Sequence, residues 1–103
     1  MSNMLSIPEN ATTRDIAAIS QSVCCALGAH DEVVLDVSDV KAADLSLIQA
    51  IEAARRLAAR DGRSLRLLHP VHPYLSALLE RAGFLAAAAP ADIDFWFHGD
   101  LPQ

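Results

Sequence analysis

The segment from residue 33 to residue 48 constrains the fold of this chain more than any other segment. It opens with an apolar run rich in β-branched residues, 33–37, which is typical of a buried strand. Polar residues and a short loop follow, and a long helical pattern begins directly after Asp44, with Ser46 in its first turn. Ser46 is therefore predicted near the positive end of a helix, just beyond the carboxyl end of a strand. Since a helix N-terminus attracts anions, this position suits a phosphate group carried by Ser46.

Length and composition narrow the class of protein. The 103 residues, 52% of them hydrophobic, predict one globular domain spanning residues 1–103. The net charge of −5 argues against nucleic-acid binding and against polybasic membrane attachment. No apolar run approaches the roughly 20 residues that cross a bilayer, so direct membrane insertion is not expected. The sequence shows no secretory signal, and the adjacent Cys24 and Cys25 are poorly placed for a structural disulfide, so we expect a cytoplasmic protein.

Strand and helix patterns alternate along the chain. The predicted strands cover residues 4–7, 33–37, 64–68 and 92–98. The first predicted helix runs from Thr12 or Thr13 to near Gly28, the second from just after Asp44 to near Arg60, and the third from Pro73 to near Gly83. Residues 86–90 are predicted to be a connector. Since single helices join successive strands, we expect an α/β fold, with a mixed, mainly parallel sheet of about four strands and helices packed against it. Residues 33–37 are expected at its centre and residues 4–7 at an edge.

Several side chains receive a predicted environment from these patterns. Tyr74 falls on the apolar face of the third helix, whereas Glu52 and Arg55 fall on the solvated side of the second. In the last predicted strand, the phenylalanines at 95 and 97 point to the core. Trp96 then points the other way and is a candidate for an interface contact.

Catalytic and metal chemistry find little support in the sequence. His69 and His72 are separated by two residues, but no cysteine or carboxylate cluster accompanies them, so no metal site is predicted. Asp36 and Asp44 form a candidate acid pair, yet no base is evident beside either of them and Asp44 is explained as a helix cap. No catalytic residue and no cofactor are therefore assigned, and the protein is not expected to be an enzyme.

The chain resembles the STAS domain, the fold shared by bacterial anti-sigma factor antagonists and the tails of sulfate transporters. The matching positions lie between residues 33 and 84. Compared with the family pattern, the chain is expected to lack the first hairpin strand and the last helix. The residues that carry the resemblance are Val-Val-Leu-Asp-Val-Ser at 33–38, Asp-Leu-Ser-Leu-Ile at 44–48, Ala-Ala-Arg-Arg at 53–56, Asp-Gly-Arg-Ser-Leu-Arg-Leu at 61–67, Pro73 with Leu75, and Arg-Ala-Gly-Phe at 81–84.

The resemblance implies a phosphorylation site at Ser46. In phosphorylated members the pattern after the strand is Asp-Ser-Ser-Gly-Leu, and a partner kinase modifies the second Ser. Asp44 and Ser46 match the Asp and the modified Ser, while Leu45 replaces the first Ser and Leu47 replaces the Gly. Ser46 is equally well explained as a first-turn residue that supports the Asp44 cap, so both interpretations remain open.

The function implied by the resemblance is regulatory protein binding rather than catalysis. The expected partner is an anti-sigma factor or a kinase-like regulator, and a homodimer is left open. The hypothesis places the partner-binding surface at Lys41, Asp44, Ser46 and Gln49. The alternative is a non-phosphorylated STAS-like subunit of a lipid-transport complex or a chemotaxis-linked adaptor.

Overall fold

The structure, a computed structural model, describes residues 4–84 and 89–98. Of the predicted connector at residues 86–90, only Ala89 and Pro90 lie within the described residues, and Pro90 begins a helix instead. The described elements are, in chain order, β1 (Met4–Ser6), β2 (Asn10–Ala11), α1 (Ile16–Ala29), β3 (Glu32–Asp36), β4 (Ala42–Ala43), α2 (Leu45–Arg60), β5 (Ser64–Leu67), α3 (Pro73–Arg81) and α4 (Pro90–Phe97).

The strands form two parallel sheets within the described residues. The larger sheet has the order β1-β3-β5, so β3 is the central strand and β1 lies at an edge, as predicted. Leu35 of β3 is in register with Leu5 on one side and with Leu67 on the other. The smaller sheet pairs β2 with β4, and this pairing places the start of the chain beside the loop that leads to Asp44. The predicted α/β fold with a mainly parallel sheet is confirmed.

The core lies where α1, α2 and α3 bury their apolar stripes. The α2 stripe is the predicted one and consists of Leu47, Ile48, Ile51, Ala54 and Ala58. Leu35, Leu47 and Leu75 are completely inaccessible to solvent. Burial of one such side chain contributes about 1.5–3 kcal/mol, which is a large share of the net stability of a domain of this size.

The predicted last strand is wrong, because residues 90–97 form helix α4. Pro90 occupies its first turn, where the missing N–H costs nothing, and the Asp92 carboxylate accepts the N–H of Ala89 at 3.0 Å. The three consecutive aromatic residues of this helix, at 95–97, are all buried. Trp96 is only 1% exposed, so its prediction as an outward interface residue is wrong as well. The structure thus has a final helix where the resemblance suggested that one was missing.

The start of α1 differs from the prediction. The helix begins at Ile16, with Asp15 as its N-cap, rather than at Thr12 or Thr13. Both donors of Thr13 are instead bonded to the carboxylate of Asp44, 31 residues away. At the other end, Gly28 lies inside the helix and does not adopt a left-handed conformation.

Two predictions about side-chain environment are also wrong. The side chains of Glu52 and Arg55 are only 14% and 18% exposed, because α4 covers them. Tyr74 is 39% exposed and lies outside the core, because its hydroxyl is bonded to the backbone of β4.

Candidate functional site

The site is built around the Asp44 carboxylate at the N-terminus of α2. Asp44 has an extended backbone (φ −133°, ψ −173°), which directs its side chain back over the first turn of the helix. Its Oδ1 accepts the Ser46 N–H at 3.0 Å and also accepts the Ser46 hydroxyl. Its Oδ2 accepts the Thr13 N–H and the Thr13 hydroxyl, both at 2.9 Å. One carboxylate therefore joins the helix end to the segment that follows β2.

These four donors change the acidity of Asp44. They lower its pKa from 3.8 to about 2, and the Ser46 hydroxyl is the largest cause, followed by the Thr13 backbone N–H. Each donor stabilises the ionised form more than the protonated form. Asp44 is thus a fully charged, fully bonded group at neutral pH, and it positions its neighbours rather than offering free acceptors.

Ser46 is half-buried and is held in place by the same carboxylate. Ser46 donates both its hydroxyl hydrogen and its N–H to the same oxygen, Oδ1 of Asp44. The next residue, Leu47, donates its N–H to the Asp44 carbonyl at 3.1 Å. Most of the donors that an anion would seek at this helix end are therefore already bonded.

The other two predicted partner-binding residues lie on the same end of the molecule without contacting Asp44. Lys41 is exposed, and its Nζ lies 3.4 Å from a Glu9 carboxylate oxygen. Gln49 is exposed on α2, one turn after Ser46, and lines a cleft together with Glu52, Arg56, Phe84 and Asp92. The structure brings Asp44 and Ser46 into direct contact and leaves Lys41 and Gln49 at the periphery.

Three residues of the site were not found by sequence reasoning. The sequence predicts Thr13 as a cap for α1, and it places Leu45 at the start of the docking helix without assigning it a contact. Tyr74 was assigned to the core, yet its hydroxyl accepts the Ala43 N–H at 3.0 Å and donates to the Ala43 carbonyl at 3.1 Å. The phenol thus bonds the N–H and C=O of Ala43 in β4, as a further strand would, directly before Asp44. No signal in a single sequence identifies a contact across 31 residues.

Two exposed apolar side chains lie close to the cap. Met4, Leu45 and Tyr74 are the large hydrophobic side chains that are exposed in residues 4–84 and 89–98. Two of them, Leu45 (45% exposed) and Tyr74, lie beside Asp44 in the fold. An apolar pair next to a rigid, charged cap has the composition of a protein-binding surface.

The candidate acid pair of Asp36 and Asp44 is not assembled. The Asp36 carboxylate accepts the N–H and the hydroxyl of Ser38, and these bonds, the hydroxyl first, lower its pKa. Each aspartate is bonded to its own serine. Among the described residues, no three His, Cys, Asp or Glu side chains converge as metal ligands would. Likewise, none of the described helices has the length and apolar character needed to cross a membrane.

Comparison with known proteins gives one match. A family model described as "Mlab, STAS domain" matches residues 2–86, which is most of the chain. No curated protein and no solved structure matches. Members of this family generally serve as interaction domains without catalytic activity. With the parallel sheet, the capped α2 and the family match in agreement, the chain belongs to the STAS domain family.

Proposed function

We propose that this protein is a regulatory interaction domain that docks on a partner protein through one surface at the start of α2. We call it the α2 N-terminal surface, and it comprises Lys41, Asp44, Leu45, Ser46, Gln49 and Tyr74. The observation that carries the proposal is the exposure of Leu45, which follows the cap residue Asp44, and of Tyr74, whose hydroxyl is bonded to Ala43 just before it. The proposal assigns no catalytic residue, metal or cofactor to the protein and places it in the cytoplasm.

The residues of this surface have different roles in the proposal. Leu45 and Tyr74 supply the apolar contact area, and Lys41 and Gln49 form its polar rim. Asp44 acts through Ser46 and Thr13, since its four hydrogen bonds are made within the protein. It is therefore a positioning residue that fixes the start of α2.

The proposed partner is an anti-sigma factor or a kinase-like regulator, and a phosphate on Ser46 would switch binding off. Phosphorylation adds about −1.5 to −2 charges at neutral pH. The added charge would repel the Asp44 carboxylate and weaken the cap, so the apolar contact area next to it would lose its fixed geometry.

A second candidate is a constitutive subunit, of a lipid-transport complex or a chemotaxis-linked assembly, that is never phosphorylated. The engagement of the Ser46 hydroxyl by Asp44 favours it, because a kinase must first break that bond. The neighbouring Leu47 also favours it, since this residue is fully buried where phosphorylated members carry a small Gly.

Isolation of the tagged protein from its native cells, followed by mass spectrometry, identifies the partner and any phosphate on Ser46. Calorimetry then measures the affinity of that partner for the unmodified and the phosphorylated protein. If phosphorylation is the switch, the phosphorylated form and Ser46→Asp bind more weakly, and Ser46→Ala binds normally. Equal affinities for the two forms, or no phosphate on Ser46 in cells, would favour the constitutive subunit.

The location of the interface is tested with a matched pair of apolar truncations. Leu45→Ala is expected to weaken partner binding by about tenfold or more, because it removes an apolar anchor. Met4→Ala removes a side chain of similar exposure (48%) away from the surface and is expected to leave the affinity unchanged. Tyr74→Phe retains the ring but frees both backbone groups of Ala43, so a smaller loss is expected. Equal effects of Leu45→Ala and Met4→Ala would place the interface elsewhere.

A further inference from the structure

Positive charge is concentrated at the opposite end of α2. Residues 55–66 contain five of the eight Lys and Arg residues of the chain against a single acidic residue, Asp61, in a protein of net charge −5. The structure places this segment over the last turns of α2 and the start of β5. A helix of 16 residues is about 24 Å long, so this region is well separated from Ser46.

A groove runs through this basic region, between α2, β5 and α4. Its volume is about 430 Å³. Ala58, Leu65 and Phe95 contribute apolar surface to it. Three cationic side chains, Arg55, Arg63 and Arg66, also line it, together with the acidic Asp94. We call this feature the arginine groove.

The arginines of the groove differ in how firmly they are held. Arg55 is 18% exposed, bonds the carboxylates of Glu52 and Asp92 at 3.0 Å, and is therefore structural. Arg63 pairs with the fully exposed Asp31 at 3.6 Å, and Arg66 pairs with Glu32 at 3.9 Å. Such long surface pairs contribute about 0–1 kcal/mol, so a competing carboxylate can replace them. Arg63 donates one N–H to the His30 carbonyl at 2.9 Å. This bond occupies one of the five N–H groups of its guanidinium.

The backbone of β5 adds a second kind of contact. Ser64 and Leu68 donate their N–H groups to β3 and to the residue before it, so alternate residues of β5 face the sheet. The N–H and C=O of Leu65 and Leu67 then point to the outer edge. Among the described residues, the His98 ring, 3.0 Å from the Leu67 carbonyl, is the group that bonds this edge. Leu65, which lines the arginine groove, thus presents strand-pairing groups beside Arg63 and Arg66.

We propose that the arginine groove binds an acidic, extended segment of a partner protein. The segment pairs with the edge of β5 at Leu65, and its carboxylates replace Asp31 and Glu32 as partners of Arg63 and Arg66. Charge complementarity selects an acidic partner, and the outward-directed N–H and C=O of Leu65, which bond no other group in residues 4–84 and 89–98, select an extended one. This surface is distinct from the α2 N-terminal surface and does not depend on it.

The test uses a blocked ten-residue peptide of alternating Glu and Val, with a Lys and Val peptide as the control ligand. Binding of the Glu peptide to the intact protein is measured by calorimetry and by amide ¹⁵N shifts. We expect the shifts at Ser64, Leu65 and Arg66 and none at Leu45 or Ser46. Arg63→Glu/Arg66→Glu is expected to weaken binding by about tenfold or more. The matched control, Arg14→Glu/Arg81→Glu, makes the same charge change at exposed cations outside the groove and is expected to retain binding.

Two further variants keep the proposal falsifiable. Arg66→Glu alone leaves the bond between Arg63 and His30 in place. It replaces the double variant in the binding test if the double variant fails to fold. Asp94→Asn removes the acidic group from the groove and is expected to strengthen binding of the Glu peptide by about twofold or more. The proposal is overturned by an absence of binding, by equal losses in the two double variants, or by shifts confined to residues outside the arginine groove. It is also overturned if vesicles of anionic phospholipid, but not the peptide, bind in an Arg66-dependent way.

Discussion

Two aspartates in this chain make the same local hydrogen bonds, but only one of them gains further donors from a distant segment. Asp36 and Asp44 each accept the N–H and the hydroxyl of a serine two residues later. Only Asp44 also receives both donors of Thr13, which the pairing of β2 with β4 brings within reach. The pKa of both aspartates is lowered, and that of Asp44 reaches about 2. The local sequence sets the bonds between each aspartate and its serine, and the contact of Asp44 with Thr13, 31 residues away, lowers the pKa of Asp44 further.

The acidity of Asp44 gives a prediction at the scale of one residue. In a carboxyl ¹³C titration by NMR, we expect Asp44 to titrate at about 2, below its ordinary 3.8. Because the folded-state pKa is depressed, Asp44 contributes stability that is fully present above its unfolded value. That contribution is lost as the pH falls through about 2. Ser46→Ala removes the strongest donor and is expected to raise the pKa of Asp44 toward 3.8.

Thr13→Ala serves as the comparison for this titration. It removes only the hydroxyl donor of Thr13, which is a weaker cause than the Ser46 hydroxyl, so a smaller rise is expected. A titration of Asp44 near 3.8 in the unmodified protein would show that the four-donor cap is not formed in solution.

At the scale of elements, one ion pair fastens α4 to α2. Arg55 bonds both oxygens of Glu52 and one oxygen of Asp92 at 3.0 Å, and it lies 4.5 Å from the centre of the Phe95 ring. The Trp96 N–H donates to the same Glu52 carboxylate at 3.2 Å. Glu52 therefore joins the cation of α2 to the aromatic residues of α4. This network explains why a charged residue of α2 faces a helix rather than water.

Loss of Glu52 is expected to destabilise the protein. Glu52→Ala leaves Arg55 with one fewer carboxylate and the Trp96 N–H without its acceptor. We expect the free energy of unfolding to fall by about 1–3 kcal/mol. Urea unfolding followed by the fluorescence of Trp96, the one tryptophan of the chain, measures the change. Glu80→Ala deletes the same group at an exposed position on α3 and is expected to change the stability by less than about 0.5 kcal/mol. Equal losses in the two variants would show that the network contributes little.

The whole molecule is organised so that its two ends differ. The carboxyl end of β3 leads to the capped α2 N-terminus with its exposed apolar pair, and the start of β5 lies beside the arginine groove. The core between them depends on the central strand, whose side chains are buried at Val33, Val34 and Leu35. The central strand is therefore buried, while the α2 N-terminal surface lies at the exposed start of α2 and the arginine groove includes part of the edge strand β5.

A matched pair of leucine truncations tests this separation. Leu35 is fully buried between two neighbouring strands, and Leu45 is 45% exposed. Leu35→Ala is expected to lower the free energy of unfolding by about 2–5 kcal/mol, because it leaves a cavity in the core. Leu45→Ala is expected to change it by less than about 0.5 kcal/mol while it weakens partner binding. Denaturant unfolding compares the two, and a large loss of stability from Leu45→Ala would contradict its assignment as a contact residue.

Local sequence by itself determined those elements whose signals lie within one or two turns. The apolar run of β3, the Asp44 cap and the buried stripe of α2 were predicted, because each depends on neighbours a few residues away. The Pro73 start of α3 follows the same logic, and so does the positive φ of Gly83 just after that helix. The contact of Asp44 with Ser46 was also within reach, since the two residues are adjacent on one helix turn.

Only the tertiary structure decided the features that depend on distant partners. Residues 92–98 alternate as a strand does, yet they form a helix because Trp96 and Asp92 find Glu52 and Arg55 on α2. Thr13 does not cap α1, because its donors meet a carboxylate that the β2–β4 pairing brings close. Sequence periodicity reports which residues can share a face, but it carries no information about which partner covers that face. That choice is made by long-range packing, and it created both the four-donor cap and the arginine groove.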